Sequence, residues 1–243
     1  MVRFFVEAGS IEGQTLLLTG ENAQHAKVLR LKNGDQILVC DGQGTEGLCR
    51  IENSAGGALE LSVLAVRPSA TEPRVRVRIF MAYPKSDKLE HVIQKATELG
   101  AREIIAFPSA RCVSKPDDKS LKKKVERWQK IALSAAQQSG RGIIPTVRVL
   151  PSYKAALEEA RQDDLSILFY ENEAATTLHM ALTRSPYGSV SILTGPEGGW
   201  EEAEVLQASA EGLTICTLGK RILRCETAPL CALSAVMFAA REF

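Results

Sequence analysis

Hydrophobic and polar positions change rhythm once along this chain. In the first seventy residues, short apolar runs at 14–18, 36–40, 46–51 and 59–66 are broken by Gly, Asn and Asp, the texture of brief strands joined by tight turns. Asn33-Gly34-Asp35 and Asp41-Gly42 are the strongest turn signals, because glycine takes positive φ freely and Asn or Asp bonds back to its own backbone. One helical stretch, about 21–31, interrupts the strands. The pattern predicts a small β-barrel-like domain over residues 1–70.

A polar segment bounded by two prolines, 67–73, reads as a linker. Beyond it, strands alternate with longer amphipathic stretches. Residues 74–81 place Val75, Val77 and Ile79 on one face and Arg74, Arg76 and Arg78 on the other. A helix over about 87–99 buries Leu89, Val92, Ile93, Ala96 and Leu99 and stops at Gly100. A strand at 103–107 precedes a helix over about 120–139, with Leu121, Val125, Trp128, Ile131 and Ala135 inward. Further strands are predicted at 165–170, 189–194 and 213–218, and helices at about 153–161, 202–210 and 228–241. Alternation of this kind predicts an α/β domain over 74–243, a mostly parallel sheet covered by helices.

Composition narrows the class. With 45% hydrophobic and 24% charged residues in 243, the chain is too apolar for disorder. No run approaches the ~20 apolar residues of a membrane span. The opening M-V-R-F-F-V-E lacks the apolar core of a secretory signal, so a cytoplasmic location is expected. Cys40, Cys49, Cys112, Cys216, Cys225 and Cys231 form no C-x-x-C pair, and three histidines are present. No metal site is expected, and the thiols are read as reduced and structural. The net charge of +1 hides an uneven distribution. Lys115, Lys119, Lys122, Lys123, Lys124 and Arg127 cluster, whereas acids gather at Glu158, Glu159, Asp163 and Asp164 and at Glu201, Glu202 and Glu204. Such a run is either a solvated helix face or a basic face for phosphates.

Three strand ends carry the candidate chemistry. The predicted strand 189–194 leads into Gly195-Pro196-Glu197-Gly198-Gly199-Trp200, where glycines let a ligand approach the backbone. After the next strand comes Thr217-Leu218-Gly219-Lys220-Arg221-Ile222-Leu223-Arg224-Cys225-Glu226, then Thr227 as a helix start. Phe169-Tyr170-Glu171-Asn172-Glu173 ends a third strand. Neither loop has the Gly-Lys-Ser/Thr of a phosphate loop or the G-x-G-x-x-G of a dinucleotide fold. Any one of these could be an ordinary turn. Together, at carboxyl ends of sheet strands, they predict one pocket with apolar walls and a charged mouth.

The paired stretches L-T-G-P-E-G-G-W (193–200) and L-G-K-R-I-L-R-C-E-T-A-P (218–229) resemble the signature loops of the RsmE family within the SPOUT methyltransferases. The segments P-K-S-D-K (84–88), I-Q-K-A-T-E-L-G (93–100), E-R-W-Q-K-I-A (126–132), A-Q-Q-S-G-R (136–141), R-F-F-V (3–6) and V-L-R-L (28–31) are similar to further motifs of that family, in order, across essentially the whole chain. The resemblance implies a PUA-like N-terminal RNA-binding domain and a C-terminal catalytic domain with a deep trefoil knot. It also implies S-adenosyl-L-methionine (SAM) as cofactor, a homodimer with sites at the subunit interface, and methylation of N3 of a uridine in 16S, small-subunit ribosomal RNA, alone or in the 30S subunit. Ser86 stands where the family usually has glycine, His91 where an aromatic or leucine is common, Cys225 where threonine is usual, and Glu201 where a capping Ser or Thr is usual.

On that reading, Phe169, Tyr170, Glu171, Leu193, Thr194, Gly195, Glu197, Gly198, Gly199, Leu218, Gly219, Ile222 and Leu223 are the candidate cofactor residues. Removing the N3 proton creates an anion beside the ring carbonyls, which a planar guanidinium stabilises well. Arg224 is the first candidate and Arg141 the second; Glu226 or Glu171 could take the proton or hold an arginine. His25, His91 and His179 lie outside these motifs. Arg3, Arg30, Arg111 and Lys115 are candidate RNA contacts. Two alternatives stay open: a SPOUT enzyme acting on a transfer-RNA nucleotide, and a non-catalytic RNA-binding assembly factor.

Overall fold

The computed structural model describes residues 1–113 and 118–243, so Lys115 lies outside the described residues. The chain divides into two compact units, Met1–Glu72 with Ala136–Ile144, and Pro73–Ala135 with Pro145–Phe243.

The first unit is built on β1 (Arg3–Phe5), β2 (Thr15–Leu18), α1 (Gly20–Val28), β3 (Gln36–Cys40), β4 (Thr45–Ala55) and β5 (Ala58–Pro68). The strands form one sheet in the order β1-β3-β4-β5-β2, antiparallel except for β1 beside β3. The expected barrel is therefore a five-stranded sheet whose ends, β1 and β2, are not paired with each other. Two irregularities in the β4–β5 register, at Leu48/Cys49 and Ile51/Asn53, are the kind that increase local twist. Phe4, Leu18, Ile37, Val39, Ile51 and Leu61 pack in its core, all at most 1% exposed. The expected linker begins inside β5, which runs on to Pro68.

Helix α1 stops earlier than its apolar pattern suggested. Leu29 is its C-cap, and the amides of Arg30 and Leu31 turn back to the carbonyls of Lys27 and Ala26. Arg30 holds φ at 57°, a left-handed conformation that costs a non-glycine residue about 1–2 kcal/mol.

Residues 136–144 join this unit through Glu72. Its carboxylate accepts from Arg141 Nη2 at 2.6 Å and from the amides of Gly142 and Ile143 at 2.8 and 3.0 Å. Gly142 is required here, since a Cβ would lie 2.3 Å from Ser69 Cβ.

The second unit holds β6 (Arg76–Ala82), α2 (Lys88–Glu98), β7 (Glu103–Phe107), most of α3 (Asp118–Ser139), β8 (Thr146–Val149), α4 (Tyr153–Ala160), β9 (Leu165–Phe169), α5 (Leu178–Thr183), β10 (Ser189–Thr194), α6 (Glu202–Ala210), β11 (Thr214–Cys216) and α7 (Thr227–Ala239). Its sheet runs β11-β9-β10-β6-β7-β8, with every neighbouring pair parallel. This is the mostly parallel α/β sheet predicted. Strand β10 is buried along all six residues, as a strand between two neighbours and under helices must be. Because all strands run the same way, the loops after β6, β9, β10 and β11 leave from one edge.

Arg78, on the arginine face of β6, has a structural explanation. Arg78 donates to Asp163 at 2.7 Å and Glu159 at 2.8 Å, and its guanidinium lies 5.1 Å from the Phe80 ring centroid. Arg148 of β8 completes the network with Glu103 and Glu159. Glu201, where a capping hydroxyl was expected, is compensated by Glu204, whose Oε2 accepts from the Glu201 amide at 3.0 Å. Among the described residues no helix is long and apolar enough to cross a membrane, and no group of three His, Cys, Asp or Glu could hold a metal ion.

Candidate functional site

A cavity of about 900 Å³ opens at the carboxyl edge of the second sheet. The loops after β9, β10 and β11 all line it, joined by Lys88 at the start of α2 and Ala228 in the first turn of α7. The two glycine-containing peptides beyond residues 194 and 218 therefore meet around one space.

The floor is fixed by Trp200, which is 2% exposed. Its ring stacks on Phe107 with centroids 6.3 Å apart, lies 5.4 Å from Tyr153, and donates from Nε1 to the Phe169 carbonyl at 2.9 Å. One side chain thus joins the β10 loop to the β9 loop. Gly195 passes close over this ring, where a Cβ would come within 3.2 Å. Gly199 holds φ at 67°, and a Cβ there would fall 2.4 Å from Glu171 Oε1. The β11 loop is shaped by Gly219, at φ 104°, whose amide donates to Thr217 Oγ1 at 3.1 Å.

At the base of the cavity Thr194 is 2% exposed, and its Oγ1 has no hydrogen-bond partner among the described residues. A buried hydroxyl left without a partner costs about 1–3 kcal/mol unless a ligand engages it. Phe169, Leu218, Ile222 and Leu223 offer apolar wall beside it.

Carboxylates surround the opening. Glu173 Oε1 accepts from the amides of Ala175 and Thr176, which hold it below the usual range. Glu197 accepts from the Lys85 amide at 3.0 Å and from Lys88 Nζ at 3.0 Å. Lys88 Nζ also reaches Glu226 Oε2 at 3.2 Å. Partial burial opposes ionisation of both acids, but hydrogen bonds and the Lys88 charge bring each below the ordinary carboxylate value. Glu197 and Glu226, as acceptors, in turn raise Lys88 above the ordinary lysine value. The acids' contribution is present above their unfolded values and lost as pH falls through the lowered ones; that of Lys88 is present below its unfolded value and lost as pH rises through the raised one. The link is intact at neutral pH. Burial and the adjacent Glu226 carboxylate push the Cys225 thiol up to about 12, so it is not a nucleophile there.

Of the sequence-derived cofactor candidates, Phe169, Tyr170, Glu171, Thr194, Gly195, Glu197, Gly199, Leu218, Gly219, Ile222 and Leu223 line the cavity. Leu193 and Gly198 do not: Leu193 is fully buried in β10, and Gly198 packs against Arg111, whose Nη1 donates to its carbonyl at 3.0 Å. Arg224 lines the cavity. Glu226 adjoins it through Lys88, and a carboxylate held ionised in this way is a poorer proton acceptor than an ordinary one. Arg141 is not part of the lining; it is 3% exposed and bound to Glu72.

Among the RNA candidates, Arg3 donates to the buried Glu46 at 2.8 Å and is 11% exposed, whereas Arg30 and Arg111 are exposed. Sequence reasoning missed Lys88, Ala174 and Thr177 in the lining. The available signal was position: β6 ends on the same edge as β10, so the first turn of α2 was bound to face the same space.

A family pattern described as an RNA methyltransferase domain matches residues 71–237, and one described as an RNA methyltransferase PUA domain matches residues 18–64. The ribosomal RNA small subunit methyltransferase E of Bacillus subtilis (strain 168) is 39% identical over 98% of this chain and 96% of its own. The Neisseria gonorrhoeae protein of the same name, in a crystal structure bound to S-adenosyl methionine, superposes with a TM-score of 0.86 at 32% identity, covering 98% of this chain and 97% of its own. A methyltransferase from Legionella pneumophila in complex with SAM gives a TM-score of 0.84 at 29% identity, covering 98% and 97%.

Proposed function

This chain belongs to the ribosomal RNA small subunit methyltransferase E family, and on that premise we propose that it transfers a methyl group from SAM to N3 of one uridine in 16S ribosomal RNA. The activity class is a SAM-dependent ribosomal RNA methyltransferase. The observation that carries the reading is the meeting of the 194–200 and 217–225 loops in one cavity with an unpartnered buried hydroxyl.

The residues present fit the cofactor. Thr194 Oγ1 awaits a polar partner, Gly195 and Gly199 leave room that a side chain would fill, and Phe169, Leu218 and Leu223 give apolar surface. SAM supplies an electrophilic methyl group on a sulfonium. This chain's part is to hold the two reactants in line, worth several kcal/mol of barrier, and to stabilise the uridine N3 anion. Arg224 is the group proposed for the second task, since a guanidinium can donate in parallel to ring oxygens. Residues 1–70 are proposed as the RNA-binding domain and 74–243 as the catalytic domain.

Two further features of the family are proposed here. Helix α7 carries no charged side chain from Thr227 to Ala239, yet Cys231 is exposed and Phe238 is 76% exposed. An uncharged outer face of this kind supports a homodimer; a monomer mass at sedimentation equilibrium would remove that reading. The return of the chain from the edge strand β11 to place α7 on β10 and β6 supports a trefoil knot. A crystal structure in which residues 217–239 pass outside the preceding loops would remove it.

The test combines binding and product. Purified protein is expected to bind SAM and to move tritiated methyl to small subunits, with 3-methyluridine as the product by nucleoside mass spectrometry. Methylation of transfer RNA instead, or RNA binding without cofactor affinity, would overturn the assignment. Exposed Arg30 should contribute one phosphate contact, so Arg30→Ala should reduce the slope of log affinity against log salt by about 1. An unchanged slope would take Arg30 out of the interface.

A further inference from the structure

We propose that Lys88 is a positioning residue for methyl transfer: it ties the loop after β10 to the first turn of α7, and so fixes where Arg224 stands beside the cofactor cavity. The inference rests on the methyltransferase reading above.

Three donors on one ammonium find three acceptors. Lys88 Nζ lies 3.0 Å from Glu197 Oε1, 3.2 Å from Glu226 Oε2 and 3.6 Å from Cys225 Sγ. Glu197 belongs to the turn closed by the Gly199 amide on the Pro196 carbonyl at 3.0 Å. Glu226 is the N-cap of α7, and the amides of Thr227 and Ala228 both donate to the Arg224 carbonyl, at 2.9 and 3.0 Å. The main chain of Arg224 therefore moves with Glu226, and Glu226 is held by Lys88.

The preceding loop is bent to make this link. Ser86 holds φ at 56°, a conformation that costs a non-glycine residue about 1–2 kcal/mol. Strain of this kind persists where the surroundings over-determine it. Its effect is that the Lys85 amide and the Lys88 ammonium converge on one oxygen, Glu197 Oε1.

The link is not what keeps the unit folded. Lys88, Glu197 and Glu226 are 28%, 27% and 20% exposed, and partly solvated ion pairs add little to stability. Helices α2 and α7 also pack on each other directly. Without Lys88, two carboxylates face each other across the cavity mouth and the loops bearing them part. A displacement near 1 Å at reacting groups costs about 100-fold in rate.

The experiment compares Lys88→Met, Lys88→Arg, Glu226→Gln and the Lys88→Met/Glu226→Gln double variant. The readouts are melting temperature, SAM affinity, RNA affinity and kcat, with the wild type measured first. Lys88→Met should lower kcat by about 30- to 100-fold with RNA affinity unchanged. Lys88→Arg should recover most of it. The double variant should be no slower than Lys88→Met, because both changes cut one link. A Lys88→Met kcat within about threefold of wild type, or losses that add in the double variant, would overturn the proposal. If Lys88→Met fails to fold, the isosteric Glu226→Gln carries the same test from the other end, and an unaltered kcat there is equally fatal. A wild type that transfers no methyl would instead remove the function reading itself.

Discussion

Replacing Arg224 with alanine should lower methyl transfer to small-subunit RNA by about 100- to 1,000-fold while leaving SAM affinity within a few-fold. Arg224 lines the cavity, and no ion pair engages its guanidinium among the described residues. Three nearby carboxylates are engaged, Glu197 and Glu226 by Lys88 and Glu173 by backbone amides, while Glu171 also lines the cavity. A cation held on a fixed main chain, with no ion-pair partner among the described residues, is available to a developing anion. Its service is given mostly in the transition state, so kcat should fall rather than substrate affinity. Lysine should restore little, since a point charge cannot donate two parallel bonds. Single-turnover transfer of tritiated methyl, with calorimetric SAM titration alongside, checks both halves. Normal turnover in Arg224→Ala would remove this residue from the mechanism.

Trp200→Ala should be the most damaging change to the fold of the site, lowering stability by about 3–5 kcal/mol. Its side chain is 2% exposed, stacked on Phe107, packed at a tilt against Tyr153, and bonded to the Phe169 carbonyl. Truncation leaves both a cavity and an unpaired carbonyl. For a chain of this size each kcal/mol shifts Tm by roughly 2–4 °C, so thermal melting should show a drop on the order of 10 °C. SAM affinity should fall with it, because the 195–199 loop lies over the indole and loses its floor. Trp200→Phe keeps a ring but loses the Nε1 donor, and about 1–3 kcal/mol is expected there. A melting temperature unchanged in the alanine variant would show that the indole does not anchor these loops.

Much of the architecture could be read from periodicity. The run at 189–194 sets Val190, Ile192 and Leu193 among small hydroxyl residues with no charge, as a strand buried on both faces can, and it is β10 at the expected residues. The stripe of Leu89, Val92, Ile93 and Ala96 is the buried face of α2. Short elements escaped: β1 has three residues, β8 four and α5 six, too few to establish a period. Helix α1 ends before its apolar pattern does, because its ending depends on Arg30 adopting a conformation usually left to glycine. The transfer of residues 136–144 to the first unit had no local signal, since Glu72 holds Arg141 from 69 positions away.

The site divides along the same line. Glycines after a buried strand, an arginine before a helix start and an aromatic at the loop's end are chemical choices written into single positions, and the chain itself determined them. Whether Arg141 or Arg224 was free to act depended on which carboxylates folding carried next to each: Glu72 reached Arg141, and Lys88 took up Glu197 and Glu226. Composition and spacing fix which groups a protein owns. Pairing between distant charges is decided by strand order and helix packing, because Coulombic partners are chosen by separation in space and sequence records only separation along the chain.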